Sequence, residues 1–105
     1  MINATHENKG TINKNMVSIK TDKGHIELYF SYETIVSFRL STYGQNAIYD
    51  NATTSEYFSR TTSKFINELE PNKERRINPT EFNTRLERAL NLLSINQETL
   101  TAQNL

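Results

Sequence analysis

The sequence has no cysteine and no tryptophan, only three glycines and two prolines, and no net charge, since twelve Lys+Arg balance twelve Asp+Glu over 105 residues. Without cysteine there are no disulfides, no thiolate nucleophile and no Cys-ligated zinc or iron–sulfur centre. The charge balance implies neither a strongly basic nor a strongly acidic partner. Apolar runs last only a few residues, too short for a membrane-spanning helix, and no charged-then-apolar start resembles a signal peptide. A cytoplasmic protein without membrane contact is expected. The glycines, Gly10, Gly24 and Gly44, stand alone, so no glycine-rich loop can cradle a phosphate.

What the chain does have is short polar side chains: 13 Asn, 13 Thr and 8 Ser. These compete with the backbone for hydrogen bonds and favour caps, turns and ends over helix interiors. Residues 1–15 carry only Ile2 and Ile12 as large aliphatic anchors, with no usable period between them. They read as a flexible N-terminal arm.

From Met16 the pattern turns to period two. Val17 and Ile19 alternate with Ser18 and Lys20, Thr21-Asp22-Lys23-Gly24 reads as a turn, and Ile26, Leu28 and Phe30 alternate with His25, Glu27 and Tyr29. This is a β-hairpin with one apolar face, and Gly24 offers the positive φ that a tight turn requires. Residues 34–40 form a third strand, with Val36, Phe38 and Leu40 on one face and Ile35, Ser37 and Arg39 on the other. Residues 46–50, around Ile48, form a short fourth.

The second half has a helical period. Ser59 or Thr61 caps a helix bearing Phe65, Ile66 and Leu69, which ends near Glu70 because Pro71 disfavours helix geometry before it. Asn78 then serves as N-cap, with Pro79 at the first helical position, Glu81 placed for a capping box, and Ile77 and Phe82 as a hydrophobic staple. Phe82, Leu86, Ala89, Leu90 and Leu93 follow on one stripe, with Arg85, Glu87, Arg88 and Asn91 opposite. The expectation is an α+β fold: an antiparallel sheet of three to four strands packed in two layers against two C-terminal helices. A single domain spans residues 16–94, and residues 95–105 form a frayed tail. So small a core would gain from a homodimer that buries a sheet edge or a helix face.

Two stretches carry a family resemblance. Phe30-Ser31-Tyr32-Glu33-Thr34-Ile35-Val36 and the segment Phe58-Ser59-Arg60-Thr61-Thr62-Ser63-Lys64-Phe65-Ile66-Asn67 resemble the Phe-Ser-Tyr-x-Thr-x-Val strand and the Trp-Ser-x-Thr-Thr-x-Lys-His-Ile/Leu-Asn segment of small uncharacterised proteins encoded by phages and related elements. The likeness covers roughly residues 18–93. This chain has Glu56, Phe58 and Phe65 where that family often has Asn, Trp and His, so no role for that His can be carried over. The resemblance implies a phage-type accessory protein in the cytoplasm of a host cell, one that modulates or inhibits a host or defence component. It implies no reaction.

The residues themselves point away from catalysis. His6 lies in the arm and His25 just after the hairpin turn, neither with a helix-spaced ligand partner, and the carboxylates are scattered. No enzyme activity, cofactor or metal is expected. Protein–protein recognition leads by elimination, since five tyrosines amid Asn and Ser suit a polar, wet interface. Tyr29, Tyr32 and Tyr43, with His25, are the candidate partner-binding residues. The alternative is a small nucleic-acid-binding regulator. Seven basic residues against five acidic ones lie between Arg60 and Arg88, and Lys73, Arg75, Arg76, Arg85 and Arg88 are the candidate phosphate contacts.

Overall fold

A computed structural model of the chain describes residues 3–8, 14–55 and 59–95. Five strands, β1 (Asn3–Asn8), β2 (Lys14–Lys20), β3 (Gly24–Ser31), β4 (Thr34–Thr42) and β5 (Tyr49–Thr53), precede helix α1 (Arg60–Leu69), a 3-10 turn (Lys73–Arg75) and helix α2 (Pro79–Leu92). The strands form one antiparallel sheet in the order β1-β2-β3-β4-β5. The α+β expectation holds, but with five strands in place of three or four.

Register explains how the sheet is shared between the helices. His6, Val17, Leu28, Phe38 and Ala52 form one row across all five strands. From Val17 to Ala52 that row is buried, and with Ile19, Ile26 and Leu40 it packs against Phe82, Leu86, Ala89 and Leu90 of α2. The neighbouring row, Glu7, Met16, Tyr29, Ser37 and Thr53, points the other way, because successive side chains in a strand alternate. On that side Met16, Tyr29 and Val36 pack against Phe65 and Ile66 of α1. The helices therefore cover opposite faces, and the expected two layers become three. The expectation failed because it assigned the sheet a single apolar face, whereas Met16, Tyr29 and Val36 give the second face an apolar patch of its own.

A β-bulge accounts for Val36. The β3–β4 register shifts between Tyr29 and Phe30, so Ile35 pairs with Phe30 while Ser37 pairs with Tyr29. The extra residue reverses the alternation. Val36 leaves the face of Phe38 and Leu40, where sequence periodicity had put it, and joins the α1 cluster.

Three further expectations are corrected. β1 lies inside the stretch read as a flexible arm: it is held by an unbroken register with β2, yet all six of its residues are exposed, so no burial pattern announced it. The fourth run expected at residues 46–50 starts later, as β5 at Tyr49, and leaves Ile48 exposed in the preceding loop. Ile95, assigned to the tail, is buried in the α2 core. The rest of that tail, and the Glu56 and Phe58 of the resemblance, lie outside the described residues.

Both expected N-caps form. Ser59 Oγ accepts from Thr62 N–H at 3.2 Å, and Asn78 Oδ1 accepts from Glu81 N–H at 2.8 Å. α1 runs into its C-cap at Glu70, just before Pro71. α2 ends with Ser94 in the left-handed region (φ 57°), Ser94 N–H donating to Asn91 O (3.0 Å) and Ile95 N–H to Leu90 O (2.9 Å). That is a Schellman cap, and it turns Ile95 back onto the core. Gly24 serves close approach, not positive φ: a Cβ there would lie 2.5 Å from Ser41 O and 2.9 Å from a Leu93 methyl.

Candidate binding surface

α1 covers only one end of its side of the sheet. Beyond it two polar rows stay uncovered: Thr5, Ser18, Glu27, Arg39 and Asn51, then Asn3, Lys20, His25, Ser41 and Tyr49. Each of these residues is exposed or half-buried. The rows are tied together. Ser18 Oγ and His25 Nε2 lie 2.6 Å apart across β2 and β3. Tyr29 Oη donates to Glu27 Oε1 at 3.1 Å, and the Arg39 guanidinium sits 5.5 Å from the centre of the Tyr29 ring. Burial first, and the Glu27 carboxylate next, push the Tyr29 phenol above its ordinary value of 10.0.

The outer polar row runs into the β4–β5 loop, and there the chain exposes apolar bulk. Tyr49 is 77% exposed, Tyr43 56% and Ile48 43%. The loop is nonetheless held in place. Thr42 N–H donates to Ile48 O (2.9 Å), Ile48 N–H donates to Thr42 Oγ1 (2.7 Å), and Tyr43 N–H donates to Lys23 O of the β2–β3 turn (3.0 Å). Gly44, at φ +101°, makes the turn that a side chain would strain. A loop fixed at both ends presents these three side chains with little ordering left to occur on binding.

The predicted partner-binding residues are thus separated. His25 and Tyr43 fall at this end of the sheet. Tyr32 lies at the opposite end, in the β3–β4 turn, 51% exposed and left-handed at φ 58°. Tyr29 shares the face of His25 and Glu27, as the alternation implied, but it is 6% exposed because Phe65 packs edge-on against its ring, with centroids 6.5 Å apart. It supports the fold and offers a partner almost nothing. Sequence reasoning undervalued Tyr49 and Ile48. It read a turn at residues 41–44 and then a short strand at 46–50 around Ile48, whereas the loop runs on through Ile48 and the strand starts at Tyr49.

The predicted phosphate contacts are scattered and mostly engaged. Arg85 donates to the Asp50 carboxylate and to Asn51 O (3.1 Å), and Arg88 reaches the same carboxylate at 3.4 Å. These bonds tie α2 to β5. Arg76 donates to Glu70 O (3.0 Å) and Asn67 Oδ1 (2.5 Å), clasping the end of α1. Lys73 and Arg75 are exposed on the 3-10 turn and meet no carboxylate among the described residues. Also among the described residues, no three His, Asp or Glu side chains group as metal ligands, and no helix is long and apolar enough to cross a membrane.

Fold and surface together define a small α+β domain, an antiparallel meander with a helix on each face and one face half open. The chain belongs to a family of unknown function (DUF8033), whose profile matches residues 2–84, from β1 into α2. No curated protein and no solved structure matches it.

Proposed function

We propose that this protein acts by binding another protein, through the β4–β5 loop and the two uncovered polar rows beside it. The observation that supports this is the joint exposure of Tyr43, Ile48 and Tyr49 in one ordered loop and the strand it enters. Large apolar side chains inside a polar rim mark interaction sites, and tyrosine supplies contact area at low conformational cost. Lys20, His25 and Ser41, in the same row as Tyr49, provide the rim. The resemblance to phage-encoded accessory proteins supports a partner among host or defence components, modulated or inhibited by the complex, in the host cytoplasm. Nucleic-acid binding has less support, because Arg76, Arg85 and Arg88 are committed within the molecule.

The test is to identify what copurifies with the tagged protein and to rebuild the complex from purified components. Binding to the wild-type chain should weaken at least ~10-fold in Tyr49→Ala and in Tyr43→Ala, the size of an interface hot spot. Tyr32→Ala, at the far end of the sheet, should bind as the wild type does. Affinity indifferent to Tyr43 and Tyr49 would remove the proposal. Salt-sensitive retention on DNA with no protein partner would replace it with the nucleic-acid reading.

A further inference from the structure

The two edges of the sheet are finished differently. Along β5, Ile77 N–H donates to Thr53 O (3.0 Å), Ser55 N–H donates to Ile77 O (2.7 Å), and Arg85 donates to Asn51 O (3.1 Å). A short parallel bridge, Thr54 to Ile77, completes the cover. Occupied backbone groups and a charged side chain across the edge are how sheets refuse another strand. β1 is finished differently: among the described residues no strand lies beyond it, it contains no Pro or Lys and a single carboxylate, Glu7, and its register with β2 runs without a bulge.

We propose that β1 is a dimerisation edge, on which β1 of a second copy of this chain adds antiparallel to join two five-stranded sheets into one. A foreign strand would be selected by pockets for its alternate side chains. All of Asn3–Asn8 is exposed and polar or small, which gives such pockets no walls. A second copy needs only backbone matching and a self-compatible set of side chains.

β1 meets that condition. A two-fold axis perpendicular to the sheet keeps faces matched, so residues must oppose residues of the same face. Ala4, His6 and Asn8 share the α2 side with Val17 and Ile19, and Asn3, Thr5 and Glu7 share the α1 side with Ser18 and Met16. The two registers of longest overlap place either His6 or Thr5 opposite its own copy. Glu7 then faces Thr5 in the first and Asn3 in the second. In neither does a carboxylate oppose a carboxylate, the arrangement that would disfavour pairing. Because β5 is the opposite edge, dimerisation leaves Tyr43, Ile48 and Tyr49 clear at both ends of the joined sheet.

The chain has no cysteine, so single thiols can be introduced without background. Sedimentation of the wild-type protein over rising concentration should converge on twice the 12.2 kDa chain mass. Directly opposed strand residues lie about 4.5–5.5 Å apart at Cα, within disulfide reach. Under mild oxidation one of His6→Cys and Thr5→Cys, whichever sits on the two-fold, should form a covalent dimer rapidly. Asn83→Cys, exposed on α2, should not, and circular dichroism should confirm that all three variants fold. A constant single-chain mass, a dimer that links at neither β1 position, or equal linking of the Asn83→Cys control would each overturn the proposal. The outcome is separable from partner binding, since a Tyr49→Ala chain should still dimerise.

Discussion

The two faces of the sheet begin from the same alternation and end in different states. On the α2 side the apolar row runs through β2, β3, β4 and β5, and one long helix closes it. On the α1 side the apolar content stops at Met16, Tyr29 and Val36, one short helix covers that patch, and two polar rows remain in contact with water. The difference separates two tasks. The α2 face carries stability, and the α1 face supplies the surface on which recognition is proposed.

Substitutions can break that comparison. Phe38 is fully buried on the α2 face, its ring 5.8 Å from that of Phe82, centre to centre. Phe38→Ala should lose about 3–5 kcal/mol, a large share of a small domain's stability, measured as a fall in urea midpoint. Phe65→Ala, under α1, should lose about 3 kcal/mol and do so locally. Hydrogen exchange should then accelerate in α1 while the α2 core stays protected. Equal loosening of both helices would erase the distinction between the faces.

Asp50→Ala probes the coupling of β5 to α2. The Asp50 side chain is 12% exposed and receives both Arg85 and Arg88, so its removal leaves Arg85 half-buried without its carboxylate. About 1–3 kcal/mol should be lost, with Asp50→Asn losing less.

The α1 face also carries a pH signature. The folded Tyr29 phenol holds its proton above the 10.0 of the unfolded chain, so the folded state binds the proton more tightly. The associated stability is complete below pH 10 and is lost as pH rises from there through the folded value. Urea midpoints taken on both sides of pH 10 should fall for the wild type and fall less steeply for Tyr29→Phe. Identical slopes would show that the phenol is not held by its burial and by Glu27.

How much of this was legible in the sequence follows from which forces leave a pattern. The caps at Ser59 and Asn78, the stop before Pro71 and the α2 stripe were readable because each is a local rule written in adjacent residues. The hairpin was readable because its buried aliphatic residues from Val17 to Leu28, namely Val17, Ile19, Ile26 and Leu28, all lie on one side, which imposes period two. β1 was not, because a strand exposed on both faces is held by backbone hydrogen bonds and places no demand on its side chains. Val36 was misplaced because the bulge depends on pairing between strands. Arg85 and Arg88 looked like a solvated basic stripe until the fold brought Asp50 beneath them. Of the four residues named for partner binding, the fold brings His25 and Tyr43 to one end of the sheet and leaves Tyr32 at the other, while Tyr29 packs against Phe65. That outcome required knowing that α1 crosses to the second face.

Tyr49 should matter least to stability and most to function. At 77% exposure its replacement by Ala should move stability by no more than about 0.5 kcal/mol. The most direct measurement is therefore the dissociation constant of the copurifying protein for the wild-type, Tyr49→Ala and Tyr32→Ala chains, all shown to unfold at the same urea midpoint. Binding weakened at least ~10-fold by Tyr49→Ala and unchanged by Tyr32→Ala is the predicted result. Equal affinity for all three, or weakening by Tyr32→Ala alone, would contradict the placement of the recognition surface.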